Sequence, residues 1–295
     1  MKIQFLNGGL ANQAFQYIFA RYYELSHPGE IMFMDDSYFA LNTVHNGYEL
    51  EKVFGIKAHM LSECFDEEVW NYILEEKGKG KSIPQIFSEN EIDIYMLSEV
   101  GKDHAIFNPF YGHVMITPCN EYTPNLLDLP GNVYYHGYWL NKNWFNKYKD
   151  IFLQESHFPD ITDEKNLGYK TEIESSDSVA IHIRRGDYVT LGWDVKPDLY
   201  HSAIKKFVND APGNWHGFIF SDDIQWCSEH IQELGLEQLD DLTFVEGNMS
   251  GQNFRDLQLM SMCKGMIIST SAFCFLAALL NTQKYYYINL SQRDL

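Results

Sequence analysis

The chain has 295 residues, 45% of them hydrophobic, 15% aromatic and 21% charged, a make-up that suits folded globular protein and excludes general disorder. Its 41 acidic and 22 basic residues leave a formal net charge of −19, spread over both halves, so a broad basic face for nucleic acid is excluded. The five cysteines are scattered with no C-x-x-C, which argues against a disulfide framework and a zinc site and fits a reducing compartment.

A strand is predicted over 2–6, then a turn at Asn7-Gly8-Gly9. A helix over about 11–25 follows, carrying Phe15, Phe19, Tyr22 and Tyr23 at helical spacing. A strand over 31–34 closes a β-α-β unit. From 38 to 132 the pattern weakens to an acidic helix over 66–76 and a Gly/Lys stretch at 77–81; 133–139 reads as a strand. The polar segment 154–178, with Pro159, reads as a linker that divides the chain into domains 1–155 and 156–295. Beyond it, strands at 179–183, 217–220, 243–245, 265–268 and 285–288 alternate with helices near 200–210, 224–234, 253–263 and 272–280. Such alternation predicts a parallel sheet covered on both faces, with ligands at the carboxyl ends of the strands. The longest apolar stretch, 266–280, is too short to span a bilayer. With no leader pattern before the first strand, a cytoplasmic protein without a transmembrane segment is expected.

Arginine is scarce, with five in the chain, and two of them are adjacent in His182-Ile183-Arg184-Arg185-Gly186-Asp187-Tyr188 at a strand end. A guanidinium is a planar, permanently charged fork suited to phosphate, Gly186 permits close backbone approach, and Asp187 can orient an arginine or accept a proton. A strand-end ion pair is the plainer reading of the same residues. Ser221-Asp222-Asp223 stands where the next strand ends and reads equally as a helix cap or as site lining. Ser269-Thr270-Ser271-Ala272-Phe273 joins a strand to an apolar helix, which suits an N-cap or an anion site at the helix start. Asn7-Gly8-Gly9-Leu10-Ala11-Asn12-Gln13 matches neither the dinucleotide nor the P-loop pattern, and its Asn12 and Gln13 amides serve hydroxyl contacts or caps alike. No Asp-x-Asp occurs, so the metal-diphosphate clamp of many nucleotide-sugar enzymes is missing.

Together these segments resemble glycosyltransferase family 11, the α-1,2-fucosyltransferases. The resemblance runs from Gly8-Gly9-Leu10-Ala11-Asn12-Gln13 through Gly137-Tyr138-Trp139, His182-Ile183-Arg184-Arg185-Gly186-Asp187-Tyr188, Phe220 to Asp223 with Trp226, and Asp256-Leu257-Gln258, to the segment 267–281. Ala11 replaces the usual glycine. The family's N-S-S-F-S-W-W-A-A-W-L-N is here Thr270-Ser271-Ala272-Phe273-Cys274-Phe275-Leu276-Ala277-Ala278-Leu279-Leu280-Asn281, without the tryptophans, which bears on packing and acceptor preference. The resemblance implies an α/β, GT-B-like protein: two Rossmann-like domains facing across a cleft, the first on the acceptor side and the second binding GDP-fucose. It implies that Arg184 holds the β-phosphate, that His182 and Asp256 read guanine, and that Arg185, Asp222, Ser271 and Phe273 complete the donor site. Asn12 and Gln13 would face the sugar or acceptor, and Asp187 is the candidate base unless it orients an arginine. The expected reaction is inverting, metal-independent transfer of L-fucose from GDP-β-L-fucose, a co-substrate and not a cofactor, to the 2-hydroxyl of a galactose-terminated oligosaccharide or glycolipid. Another linkage or acceptor on the same scaffold, or a non-catalytic GDP-sugar or glycan binder, are the alternatives.

Overall fold

A computed structural model describes residues 1–42, 46–100, 114–249, 251–283 and 286–290. The chain divides into two compact units, Met1–His157 and Phe158–Leu295. The division falls within the segment 154–178 read as a linker, whose later part carries the helix Glu164–Ser175. Only Asn166 and Ile173 of that helix are buried, so no apolar stripe betrays it in the sequence.

The first unit holds β1 (Lys2–Phe5), β2 (Met32–Asp35), β3 (Tyr95–Val100), β4 (Val114–Pro118) and β5 (Val133–His136) in one sheet of order β2-β1-β5-β3-β4. Every pairing in it is parallel; Lys2 sits between Met32 on one side and Val133 on the other. β3 and β4 were not expected from the sequence. Helix Leu10–Ser26 makes the β1-to-β2 crossover and buries Phe15, Phe19, Tyr22 and Tyr23, the residues its period placed on one face. Phe19 stacks on Trp139 with ring centroids 4.1 Å apart, and Trp144 meets its edge at 5.1 Å. Aromatic pairs of this kind add about 0.5–1.5 kcal/mol each beyond the area they bury.

The second unit holds β6 (Asp177–Ile183), β7 (Trp215–Ser221), β8 (Asp241–Phe244), β9 (Gly265–Ile268) and β10 (Tyr286–Asn289). All pairings are again parallel, in the order β10-β9-β6-β7-β8. Residue 285, expected in the last strand, lies outside the described residues. Val179, Ile181 and Ile183 of β6 pack with Phe207, Ile219 and Ile267, all at most 1% exposed, into the core of one face. Near-continuous apolar strands are what a sheet covered on both sides requires. The helix expected over 224–234 is broken at His230 into Ile224–Glu229 and Ile231–Leu234.

This strand order fixes where a ligand can sit. From β6 the chain moves outward through β7 to β8, then returns to the other side of β6 to form β9 and β10. The reversal lies between β6 and β9, and the crevice beyond their carboxyl ends is where open α/β sheets bind ligands.

Candidate active site

At that reversal His182, the penultimate residue of β6, meets Ser269, which directly follows β9. Nδ1 of His182 lies 2.8 Å from Ser269 Oγ. Burial, with the nearby Arg184 charge adding to it, pushes the His182 pKa down to about 3, so the ring is neutral at any working pH. With Nδ1 engaged and the residue 7% exposed, Nε2 is the nitrogen left for a ligand. Ser271 caps helix Ala272–Leu280 by accepting from Phe273 N at 3.3 Å, and its own N donates to Ser269 Oγ at 3.4 Å. The cap reading of this segment is therefore correct, and the helix N-terminus it builds stands beside β6.

The two arginines leave β6 with different partners. Arg184 Nη2 donates to Asp187 Oδ1 at 2.6 Å and Nη1 lies 3.1 Å from Asp222 Oδ2, with its side chain 35% exposed. Arg185 donates its backbone N to Asp222 Oδ1 at 2.8 Å. Its guanidinium lies 3.6 Å over the Trp226 ring, and buried Nε has no hydrogen-bond partner. A guanidinium stacked over indole with a buried N–H unsatisfied retains hydrogen-bonding capacity that nothing in the protein uses. Gly186 has φ +23°, and a Cβ there would overlap the Asp222 carboxylate, so the glycine is what lets Asp222 reach both arginines. Asp223 caps the next helix through Trp226 N at 3.1 Å. Asp223 therefore caps, as one reading of that segment had it, while Asp222 joins the two arginines.

Asp187, the candidate base, is bound to Arg184 and not to Arg185, and its side chain is 57% exposed. That is the placement of an arginine-orienting carboxylate. Asp256 lies in the first turn of helix Phe254–Met262. In a parallel sheet the crossover helices run opposite to the strands, so this turn is level with the strands' carboxyl ends. Burial raises the Asp256 pKa to about 7, against the lowering effects of Asn248 and then Lys165.

In the first unit, Gln13 is fully buried and its amide is committed to backbone. Nε2 donates to Gly8 O at 2.8 Å and Gly47 O at 2.9 Å, and Oε1 accepts from Glu49 N at 2.8 Å. Gln13 thus braces the glycine turn and does not face a sugar. Asn12 is half-buried at the helix start, packed against Gly8, whose φ of +79° leaves no room for a side chain. Sequence reasoning missed Glu99, at the carboxyl end of β3. Its Oε1 accepts from Asn120 N at 2.9 Å, and its Oε2 from Tyr138 N at 2.8 Å and Trp139 N at 2.9 Å. Burial raises its pKa while these three donors oppose the rise. The carboxylate thereby holds Asn120 and Trp139 at φ +63° and +56°, which explains the Gly137-Tyr138-Trp139 segment as a clamped turn. Among the described residues no group of three or more His, Cys, Asp or Glu side chains is placed to hold a metal ion, and no helix is long and apolar enough to cross a membrane.

An Escherichia coli alpha-1,2-colitosyltransferase is 26% identical over 278 residues, 92% of this chain and 85% of that one. A mouse galactoside 2-alpha-L-fucosyltransferase, Sec1, is 23% identical over 167 residues, 52% of this chain and 43% of that one. Among solved structures, the Bradyrhizobium alpha-1,6-fucosyltransferase NodZ soaked with GDP-fucose superposes with a TM-score of 0.51 at 15% identity, covering 95% of this chain and 92% of that one. That likeness shows a shared fold, the two α/β units of the GT-B class. The model of glycosyl transferase family 11 matches residues 118–294, which include the His182-to-Tyr188 strand end, the Asp222 bridge and the Ser271 helix cap described above. With well over half its length matched, the chain belongs to glycosyl transferase family 11 and is a glycosyltransferase.

Proposed function

We propose that the protein is an inverting galactoside α-1,2-fucosyltransferase that moves L-fucose from GDP-β-L-fucose to the 2-hydroxyl of a terminal galactose. The observation that carries this reading is the pair Arg184 and Arg185 at the sheet reversal, the second held on Trp226 with a buried N–H unsatisfied. In an acidic chain such a pair suits a diphosphate, which supports the reading. In the transfer, the galactose oxygen attacks C1 of fucose from the face opposite the diphosphate. The C1–oxygen bond to GDP breaks, and the hydroxyl proton leaves to solvent or to the departing phosphate. Positive charge develops on the sugar and negative charge on the leaving oxygen. The two guanidinium groups and the N–H groups opening helix Ala272–Leu280 stabilise the leaving charge, so no metal is required. Asp187 and Asp222 hold Arg184 in place until the diphosphate arrives. His182 and Asp256 read the guanine, and the first unit, through Asn12 and the turn that Gln13 braces, serves the acceptor side.

The acceptor reading draws on the name of the mouse relative, a galactoside 2-alpha-L-fucosyltransferase. A second donor is favoured by the colitosyltransferase relative, because colitose is fucose without its 3-hydroxyl. Turnover with GDP-fucose, GDP-colitose and GDP-mannose on one galactoside separates the readings. Fucose transfer fastest of the three supports the proposal. Preference for the 3-deoxy sugar replaces the donor, and GDP binding with no turnover on any donor leaves a binding protein.

A further inference from the structure

Asp256 is not an isolated carboxylate. Its Oδ1 accepts from Asn248 Nδ2 at 2.7 Å, and Asn248 is tied back to Asn166 by a reciprocal amide pair. Asn166 Nδ2 donates to Asn248 Oδ1 at 2.8 Å, and Asn248 Nδ2 to Asn166 Oδ1 at 2.9 Å. Asn166 in turn donates both its backbone N and its Nδ2 to Asp163 Oδ1, each at 2.9 Å, at the cap of helix Glu164–Ser175. The two asparagines are 6% and 5% exposed. Each amide uses both of its N–H protons inside this network, so neither can flip without setting oxygen against oxygen. Among the described residues Asp256 Oδ2 makes no hydrogen bond. A buried, closed amide pair is unfavourable unless fully satisfied, and here its two outward bonds go to Asp163 from Asn166 and to Asp256 from Asn248.

We propose that Asn248 is a positioning residue for base recognition: backed by Asn166, it holds the Asp256 carboxylate in one orientation, ready to accept the N1–H and N2–H groups of guanine. This rests on the reading of Asp256 as a guanine reader. It adds a residue to that site and explains how a half-buried carboxylate stays usable. A hydrogen bond to the charged form favours that form, and Asn248 is the largest influence opposing burial of Asp256. The charges around it are few. Helix Glu164–Ser175 brings Lys165, which also favours the carboxylate, and Asp163 acts only through Asn166. Arg255, next along the same helix, is engaged with Pro159 O at 2.6 Å and Asp160 O at 2.7 Å. Helix Ala272–Leu280 contributes no charged side chain, only the Cys274 thiol, which is bonded to Ser271 O at 3.2 Å.

Removing the Asn248 donor should therefore raise the pH at which Asp256 ionises and, with it, the pH at which GDP binds. The test is GDP and IDP affinity by calorimetry from pH 6 to 9, for the wild type, Asn248→Ala, Asn248→Asp and Asp256→Ala. Asn248→Asp keeps the bond from Asn166, loses both donors and sets a second carboxylate against Asp256, which raises its ionisation pH in the same direction, and it covers the case in which the alanine variant folds poorly. At pH 7 both Asn248 variants should lose about tenfold in GDP affinity. IDP, which lacks the N2 amine, should lose less, and GDP binding should recover as the pH rises. If Asp256→Ala weakens GDP while both Asn248 variants keep the wild-type pH profile, the inference fails and the base reading stands. An equal loss of GDP and IDP at every pH, the pattern of plain structural damage, also overturns it. Unchanged GDP affinity in Asp256→Ala overturns the base reading and the inference together.

Discussion

Replacing Arg184 by lysine separates its two possible employments, because the variant keeps the charge and loses the fork. Arg184 bridges Asp187 at 2.6 Å and Asp222 at 3.1 Å, with its side chain 35% exposed and Asp187 57% exposed. Pairs this open to water contribute about 0–1 kcal/mol each, and a lysine can still meet one of the two carboxylates. The expected loss of stability is thus below about 1 kcal/mol, a shift of roughly 2–4 °C in Tm. The rate effect should be far larger. A donor that acts on the leaving diphosphate gains strength as charge develops, and removing one such donor typically costs about 10²–10³ in kcat, or about 2.7–4 kcal/mol. A point charge on a flexible stem does not reproduce the two-pronged contact. Steady-state turnover of GDP-fucose at saturating galactoside, with calorimetric melting of the same preparation, reads both quantities. The expectation is a kcat depressed more than KM is raised, with Tm lowered by no more than that small shift. A variant with kcat near the wild-type value and a clearly lowered Tm would refute the phosphate role and leave Arg184 a structural ion pair.

Gly186→Ala should both destabilise the second unit and weaken GDP binding, because a Cβ at φ +23° displaces Asp222 from the two arginines; a variant with unchanged GDP affinity removes Asp222 from the site. Turnover should survive metal stripping and excess EDTA, since guanidinium groups and a helix N-terminus carry the leaving charge; loss of activity restored only by Mg²⁺ or Mn²⁺ would contradict this. Asp256 gives a pH signature in the ligand-free protein. Its folded pKa, about 7, lies above its ordinary 3.8, so the stability linked to its proton is complete below about pH 4 and is lost as the pH rises through 7. Asp256→Asn removes that loss, so its Tm advantage over the wild type should grow from pH 4 to pH 8, and a pH-independent difference would show that the group titrates normally.

The second unit was legible because its strands are apolar runs cut by helix signals. Gly265–Ile268 and Ala272–Leu280 fall where the pattern put them. β3 and β4 were hidden because YMLSEV and VMITP set Ser98, Glu99 and Thr117 among their apolar residues, and a buried carboxylate does not look like strand interior. Helix Glu164–Ser175 was hidden for a related reason: it is polar on nearly every side and buries little. The placement of His182, Arg184, Asp222 and Ser271 at or just beyond strand ends was legible, because each follows directly on an apolar run. Gln13 could not be separated from Asn12, since only tertiary structure shows that its amide is used up on Gly8, Gly47 and Glu49. Asn166 and Asn248 stand 82 residues apart with no shared motif, so no sequence signal links either to Asp256.

The account is tested most directly by the bond the enzyme makes. Incubated with GDP-β-L-fucose and a β-galactoside, the protein should yield one product, with fucose α-linked to O2 of the galactose, as read by NMR of the purified disaccharide. The matched 2-deoxygalactoside should accept nothing. Fucose on another hydroxyl, a β linkage, or transfer to the 2-deoxy acceptor would contradict it.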